Sequence, residues 1–425
     1  MPAYYPRCEA FLEVLIEDFG EASDVEILSL YAVPRSAEWI RDHHRSADTF
    51  SMELDYRDLP LDPRAVRAIR VLLLCGDVGS ASGRLNLDNS DQQVFFGYVD
   101  EPETSLSASG EIVTLSGRDY TALFLDHTWS GGAIDVSVSL LDVVNRILQQ
   151  TPGASSMPVA FSEATQNIVI SSITEKRLWT PQPGDDTWTV LVNLCAVVGV
   201  LPRIELDTLY ISTPDDFGDE GVSFLYGRDV ERLSYRRKFN EARTQQIRVV
   251  CWDPVNRETR EVLYPVEPII TRKTVPTQGK ATVETAPQVR YPITGSYTEE
   301  QLSKIARGFY EEAARQQIEG RLSTRELSDV DGTPLPILSN GDRLEVRLGA
   351  NLPNLAGLSD AEAIRVLTGA RWGLSETVAS ALVRVWRQAD SLASIFYVRT
   401  ARHNWSISEG YKVELDFINY ITAVG

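Results

Sequence analysis

Short apolar-rich runs, each only a few residues long and closed off by Gly, Asp, Ser or Pro, fill the N-terminal third of this sequence. Runs of that length between turn residues are strands, and many short strands at close spacing make a sandwich or a barrel. CEAFLEVLI and VEILSLYAV come first, separated by the turn-like GEASD. TFSMELDY, AIRVLLLCG, QQVFFGYVD and EIVTLSGRDY follow. Between the two sets, SAEWIRDHHRSAD reads as one or two helical turns that Ser36 can cap.

The order then repeats. TFSMELDY, AIRVLLLCG, VFFGYVD and EIVTLSGRDY are echoed by GRLSTREL, GDRLEVRLG, SIFYVRTARH and YKVELDFINY. Tyr98-Val99 stands ahead of Gly110 as Tyr397-Val398 stands ahead of Gly410. By position the strands after these glycines set Ile112, Thr114 and Ser116 against Tyr411, Val413 and Leu415, so the apolar parity differs between the copies.

Between the repeats the pattern changes near Gly131-Gly132. Val138, Leu141, Val144 and Leu148 share a helical face that Leu140 and Ile147 widen. TWTVLVNLCAVV is a second helix, capped by Thr187 and ended by Gly199, and RIEL-DT-LYIST is a hairpin turning on Asp207-Thr208. A helix over 299–316 has a Thr298–Gln301 capping box and a face of Leu302, Ile305, Ala306, Phe309 and Ala313. A helical insertion over about 353–390 carries a Ser359–Glu362 capping box, then an amphipathic stretch of Val378, Leu382, Val385 and Trp386 after Ser375. The expected fold is mainly β with α+β insertions: a first β-barrel domain over 1–130, a small α/β module over 131–222, and a second β-barrel domain over 223–425 that contains the insertion.

Composition excludes several functions. Acidic residues outnumber basic ones 60 to 41, a net charge of -19, so no concentrated basic footprint for specific nucleic-acid binding is expected. An acidic wall instead repels phosphates over a Debye length of about 10 Å. The N-terminus shows no secretory signal and no apolar run reaches a membrane span, so synthesis in a cytoplasm and no membrane partner are expected. Cys8, Cys75, Cys195 and Cys251 lie far apart without a CxxC pair and read as buried free thiols.

Catalytic signatures are missing as well. GxSxG, a P-loop, GxGxxG and HExxH do not occur, and His43-His44 with Asp42 and Asp48 lacks metal-ligand spacing. Neither catalytic residues, a metal nor a cofactor is expected. Adjacent carboxylates such as Glu17/Asp18, Asp215/Asp216 and Glu311/Glu312 carry little weight among 60 acids. The one cationic cluster, RLSYRRKF, offers Arg232, Arg236, Arg237 and Lys238 as a partner or subunit interface, or as local pairs for Asp229, Glu231 and Glu241. Trp372 and Trp386 could anchor a partner, and Trp405 could do the same, but core packing is the better account of these tryptophans.

Four segments carry a resemblance: VPRSAEWIRDHHRSADTFSMEL, VFFGYVDEPE…GEIVTLSGRDYTALFLD, FLYGRDVERLSYRRKFNEARTQQIRVVCWDP and ILSNGDRLEVRLG. In order and spacing across most of the chain they resemble the baseplate hub family of contractile phage tails and related injection machines. GRDY…LD (117–126) and the second GRD (227–229) are the most recognisable parts. The resemblance implies two barrel-like hub domains per chain in a homotrimer whose pseudo-sixfold ring joins a hexameric tail tube to a trimeric spike. It implies as partners the spike, tube or tube-initiator proteins and other baseplate proteins. It also implies a place in the virion after assembly in the host cytoplasm. The alternative, a tail-associated carbohydrate-binding protein or cell-wall glycan hydrolase, requires an aromatic-lined cleft with two convergent carboxylates.

Overall fold

A computed structural model describes residues 5–17, 25–42, 46–57, 59, 66–79, 83–107, 110–161, 165–171, 177–212, 221–226, 229–237, 246–253, 258–266, 270–274, 281–285, 288–294, 299–315, 318–329, 332–339, 341–348, 359–368, 375–380, 383 and 395–419. The first unit comprises β1 (Pro6–Glu17), β2 (Val25–Ala32), β3 (Ser36–Arg41), β4 (Thr49–Asp55), β5 (Val66–Asp77), β6 (Gln93–Ser107) and β7 (Gly110–Asp119), followed by helix α1 (Thr121–Leu125). The expected helix after Pro34 is therefore strand β3. Its burial alternates, with Ala37, Trp39 and Arg41 inward and Ser36, Glu38 and Ile40 less buried. The buried arginine hides that period of two in the sequence, because its charge marks an inward position as a surface one.

The middle of the chain holds β8 (Ile134–Asp135), α2 (Leu140–Gln150), β9 (Val159–Phe161), β10 (Leu178–Trp179), α3 (Thr187–Val198), β11 (Leu201–Glu205) and β12 (Thr208–Ser212) around a core of their own. In α2 the buried face is Leu140, Val143, Val144, Ile147 and Leu148, with Leu141 at its margin. The cap of α3 is Asp186, one residue before the expected Thr187: its carboxylate accepts from the Thr189 N–H at 2.7 Å. Gly199 closes the helix with a left-handed φ of 78°. The β11–β12 turn is Leu206-Asp207, not Asp207-Thr208, because Glu205 pairs with Thr208.

The second unit comprises β13 (Val222–Tyr226), β14 (Arg232–Arg237), β20 (Ile318–Thr324), β21 (Arg343–Leu348), β22 (Ile395–Ser406) and β23 (Gly410–Asn419). Between β14 and β20 lie β15 (Gln246–Asp253), β16 (Glu258–Tyr264), β17 (Ile270–Thr274), β18 (Ala281–Thr285), β19 (Gln288–Thr294) and helix α4 (Glu299–Arg315). Strands β16-β15-β19 form a separate sheet whose core includes Ile247, Val249, Leu302 and Ala306, with Ile305 and Phe309 packed on it. Thr298 lies outside the described residues. Helix α5 (Asp360–Thr368) has the expected capping box: the Ser359 hydroxyl donates to Glu362 Oε2 at 2.7 Å and accepts from the Glu362 N–H at 3.4 Å. After Ser375 the buried positions are Ala379 and Val383, whereas Val378 is exposed. Leu382, Val385 and Trp386 lie outside the described residues.

The duplication is legible in the strand order. In the first unit β4 pairs with β7, β7 with β6 and β6 with β5; in the second β20 pairs with β23, β23 with β22 and β22 with β21. Both final hairpins carry a register shift at the same place, between Val99 and Glu101 and between Val398 and Thr400. That bulge sets Val99 opposite Gly117 and Val398 opposite Phe417, which aligns residue 117 with residue 417. The parity then agrees: Val113, Leu115 and Gly117 are buried in β7 as Val413, Leu415 and Phe417 are in β23. The pairing of Ile112, Thr114 and Ser116 with Tyr411, Val413 and Leu415 was one residue out of step.

An exchange of volumes accompanies the repeat. Phe50 faces Gly117 across β4–β7, and Gly320 faces Phe417 across β20–β23. Each copy thus places one ring against one glycine, on opposite strands, and the site keeps its volume while the residues trade places.

Neither copy closes into the expected barrel. The strands form an open path, β14-β20-β23-β22-β3-β4-β7-β6-β5-β1-β2, with β21 and β13 attached beside β22. The outer edge of β3, which a closed first barrel would need, is instead bonded to β22 of the second unit.

Candidate functional site

The two units meet head to tail. Residues Ser36–Arg41 of β3 pair antiparallel with Ala401–Ser406 of β22, the half of that strand beyond its bulge. Side chains on the core face lock the contact. Trp39 stacks on His403 with centroids 5.1 Å apart and planes 4° from parallel, and its indole N–H donates to the Pro336 carbonyl at 3.2 Å. His403 is wholly buried, with Nε2 3.0 Å from the Leu338 carbonyl and Nδ1 2.8 Å from the Tyr411 hydroxyl. A carbonyl only accepts, so Nε2 carries the proton and the hydroxyl of Tyr411 donates to Nδ1. Burial, with the nearby Arg41 charge, pushes the imidazole down to about 3, so it is neutral at physiological pH.

A seam of charges joins this junction to the middle module. Arg41 donates to the carbonyls of Ile337 and Val94. Arg203, from β11, bonds Glu205 and lies 3.4 Å from Asp342 Oδ1. Burial pushes Asp48 up to about 6 against the opposing pull of Arg41. Asp342 is also pushed up to about 6, by burial against the pull of Arg203. A cleft of about 390 Å³ opens over Arg41, Arg203, Glu205, Tyr210 and Asp342. Glu205 and Asp342 are both engaged by Arg203 there, which leaves them poorly placed as the acid and base of glycan cleavage.

In the recognisable GRDY…LD stretch, Gly117, Arg118, Asp119, Tyr120 and Asp126 each have a structural reason. Gly117 sits where a Cβ would lie 1.9 Å from the Tyr98 carbonyl oxygen. Arg118 bridges Asp100 at 2.7 Å and Asp126 at 2.8 Å, and its hydrogen bond, helped by its charge, holds the Asp126 carboxyl below the usual range. Asp119 accepts from the Thr121 N–H and hydroxyl at the start of α1, and Tyr120 packs edge-on against Phe96 and Tyr98.

Of the residues expected at an interface, Arg232 and Arg236 are exposed on β14, the terminal strand of the sheet path. Arg237 also belongs to β14. Lys238, Trp372 and Trp386 lie outside the described residues, as do His43 and His44. Arg236 pairs with Glu319 at 3.0 Å and Glu231 with Arg325 at 2.7 Å, both across β14–β20 or its margin, and Glu241 lies outside the described residues. Trp405 is buried in the core. The polar face of the same sheet alternates its charges: Arg321–Asp416, Lys412–Glu414 and Arg402–Glu38 lie within 2.6 to 3.5 Å.

All four cysteines are buried free thiols, and Cys8 faces Cys75 across β1–β5, although they stand far apart in the chain. Among the described residues no cluster of His, Cys, Asp or Glu is placed to hold a metal, and no helix is long and apolar enough to cross a membrane.

No protein-family model and no curated protein matches this sequence. Solved structures do. A tail protein from Neisseria meningitidis MC58 superposes with a TM-score of 0.58 at 14% identity, over 98% of this chain and 97% of that one. The 43 kDa tail protein of prophage MuSo2 from Shewanella oneidensis gives 0.56 at 12% identity, over 97% and 98%. This chain has the fold of phage tail proteins. A chain of the Francisella PdpA–VgrG complex gives 0.50 at 8% identity, over 97% of this chain and 58% of that one.

Proposed function

We propose that this chain is the structural baseplate hub of a phage-type tail. Three copies form a ring of six related units that joins a hexameric tail tube to a trimeric central spike around a channel for DNA. Its partners are the spike, tube or tube-initiator proteins and other baseplate proteins, and it works in the virion, after assembly in the host cytoplasm, without catalysis or cofactor. One observation carries this reading: two units of the same strand order joined head to tail through β3 and β22. A head-to-tail contact repeated between copies builds a closed ring when the rotation closes. A duplicated unit lets a threefold chain assembly meet a sixfold tube.

The polar face of the sheet suits a channel wall. On it Arg321, Arg402 and Lys412 are paired with carboxylates, which leaves those three cations less available to hold phosphates. Light scattering should give a particle of three 47.4 kDa chains, alone or with the spike protein present. A stable monomer under both conditions would refute the reading.

A further inference from the structure

The junction inside the chain has a vacant counterpart at each end of the repeat. Beyond its bulge β22 pairs with β23 on one side and β3 on the other. Among the described residues the matching half of β6, Pro102–Ser107, pairs with β7 alone, because β5 covers only Gln93–Tyr98. At the other end β14, which pairs with β20 as β3 pairs with β4, has its outer edge free among the described residues. One half-junction is thus exposed on each unit, and the two halves are complementary in kind.

We propose that β14 of one copy adds antiparallel to the free half of β6 in the next copy, reproducing the β3–β22 pairing between chains. The register follows from the repeat. Met52 and Leu322 both oppose the aligned leucines Leu115 and Leu415, and they in turn pair with Ala37 and Leu233. Carrying the pairs Arg402↔Ile40, Asn404↔Glu38 and Ser406↔Ser36 across the repeat sets Glu103 opposite Arg236, Ser105 opposite Ser234 and Ser107 opposite Arg232. Chemistry not used to build the register agrees with it. Glu103 meets an arginine, serine meets serine, and Pro102, which has no N–H to donate, falls at the end of the ladder. Pairing also removes the two exposed edges, which would otherwise recruit strands indiscriminately. Arg232 and Arg236 thereby act as interface residues, as the cationic run implied.

This inference rests on the hub reading, and its test separates the two. Ser105→Cys with Ser234→Cys in one chain places thiols across the proposed contact, while the four native cysteines are buried. Mild oxidation should link chains in the double variant into a species of three-chain mass that reductant releases, and neither single variant should link. Glu103→Arg should lower the trimer fraction on the order of tenfold, and adding Arg236→Glu together with Glu319→Arg, which keeps the Arg236–Glu319 pair reversed, should restore it. A trimer by light scattering without the cross-link overturns this pairing and leaves the hub. A monomer with no cross-link overturns both, and cross-linked open chains would uphold the strand pairing while refuting ring closure.

Discussion

Gly320→Ala is expected to destabilise the second unit by about 3 kcal/mol, the upper range for overpacking a filled core. A Cβ there would lie 2.1 Å from Phe417 Cζ and 2.8 Å from the Ser234 carbonyl oxygen. The nearest obstacle is a side chain, so adding Phe417→Leu should recover part of the loss, with a coupling of about 1 kcal/mol between neighbours. Gly117→Ala provides the contrast. Its Cβ would meet the Tyr98 carbonyl at 1.9 Å before Phe50 at 2.9 Å, so trimming Phe50 should give no rescue. Urea unfolding of the four variants measures both outcomes. Equal rescue at the two sites would mean that the ring-against-glycine exchange does not hold the repeat's volume.

Arg203→Met should cost about 3–5 kcal/mol at pH 8, the usual result of stripping the partner from buried charge. Arg203 bonds Glu205 and counters Asp342, and its charge also reaches Asp48. The deficit should shrink on acidification. Asp48 and Asp342 hold their protons more tightly in the folded chain, near 6, than at the ordinary aspartate value of 3.8. Their contribution to stability is therefore full below 3.8 and lost as pH rises through 6. His403 acts in the opposite sense: lowered from 6.5 to about 3, its contribution is full above 6.5 and lost as pH falls toward 3. In the native chain the two effects oppose each other between pH 4 and 6. Without Arg203 both carboxyls rise further, so the variant should regain ground on the native chain from above pH 6 downward. Unfolding midpoints at pH 5, 6, 7 and 8 test this, and a deficit constant across that range would exclude the seam as its source.

Most strands were legible in the sequence because their apolar runs are short and bounded by turn residues. The repeat was visible in the same way, down to Gly110 and Gly410 after matching strands. Its parity was not, because the bulges at Asp100 and Arg399 shift the pairing register and no sequence period records a bulge. Strand β3 reads as helix in the sequence for a related reason: an arginine that donates to two backbone carbonyls occupies a core position. The arginines proposed at the interface stand out by composition alone. Their role depends on β14 being a sheet edge, and edge status is a property of topology that one strand's residues do not carry. The charged seam was hidden likewise, since Arg41, Asp48, Arg203 and Asp342 come from four separate stretches of chain.

The duplicated, head-to-tail sheet leads to one decisive image. Averaged electron-microscope views of the assembled protein down its axis should show six similar lobes around an open channel, alternating between first and second units. Three isolated lobes without contact between neighbouring copies, or a particle with no channel, would contradict it.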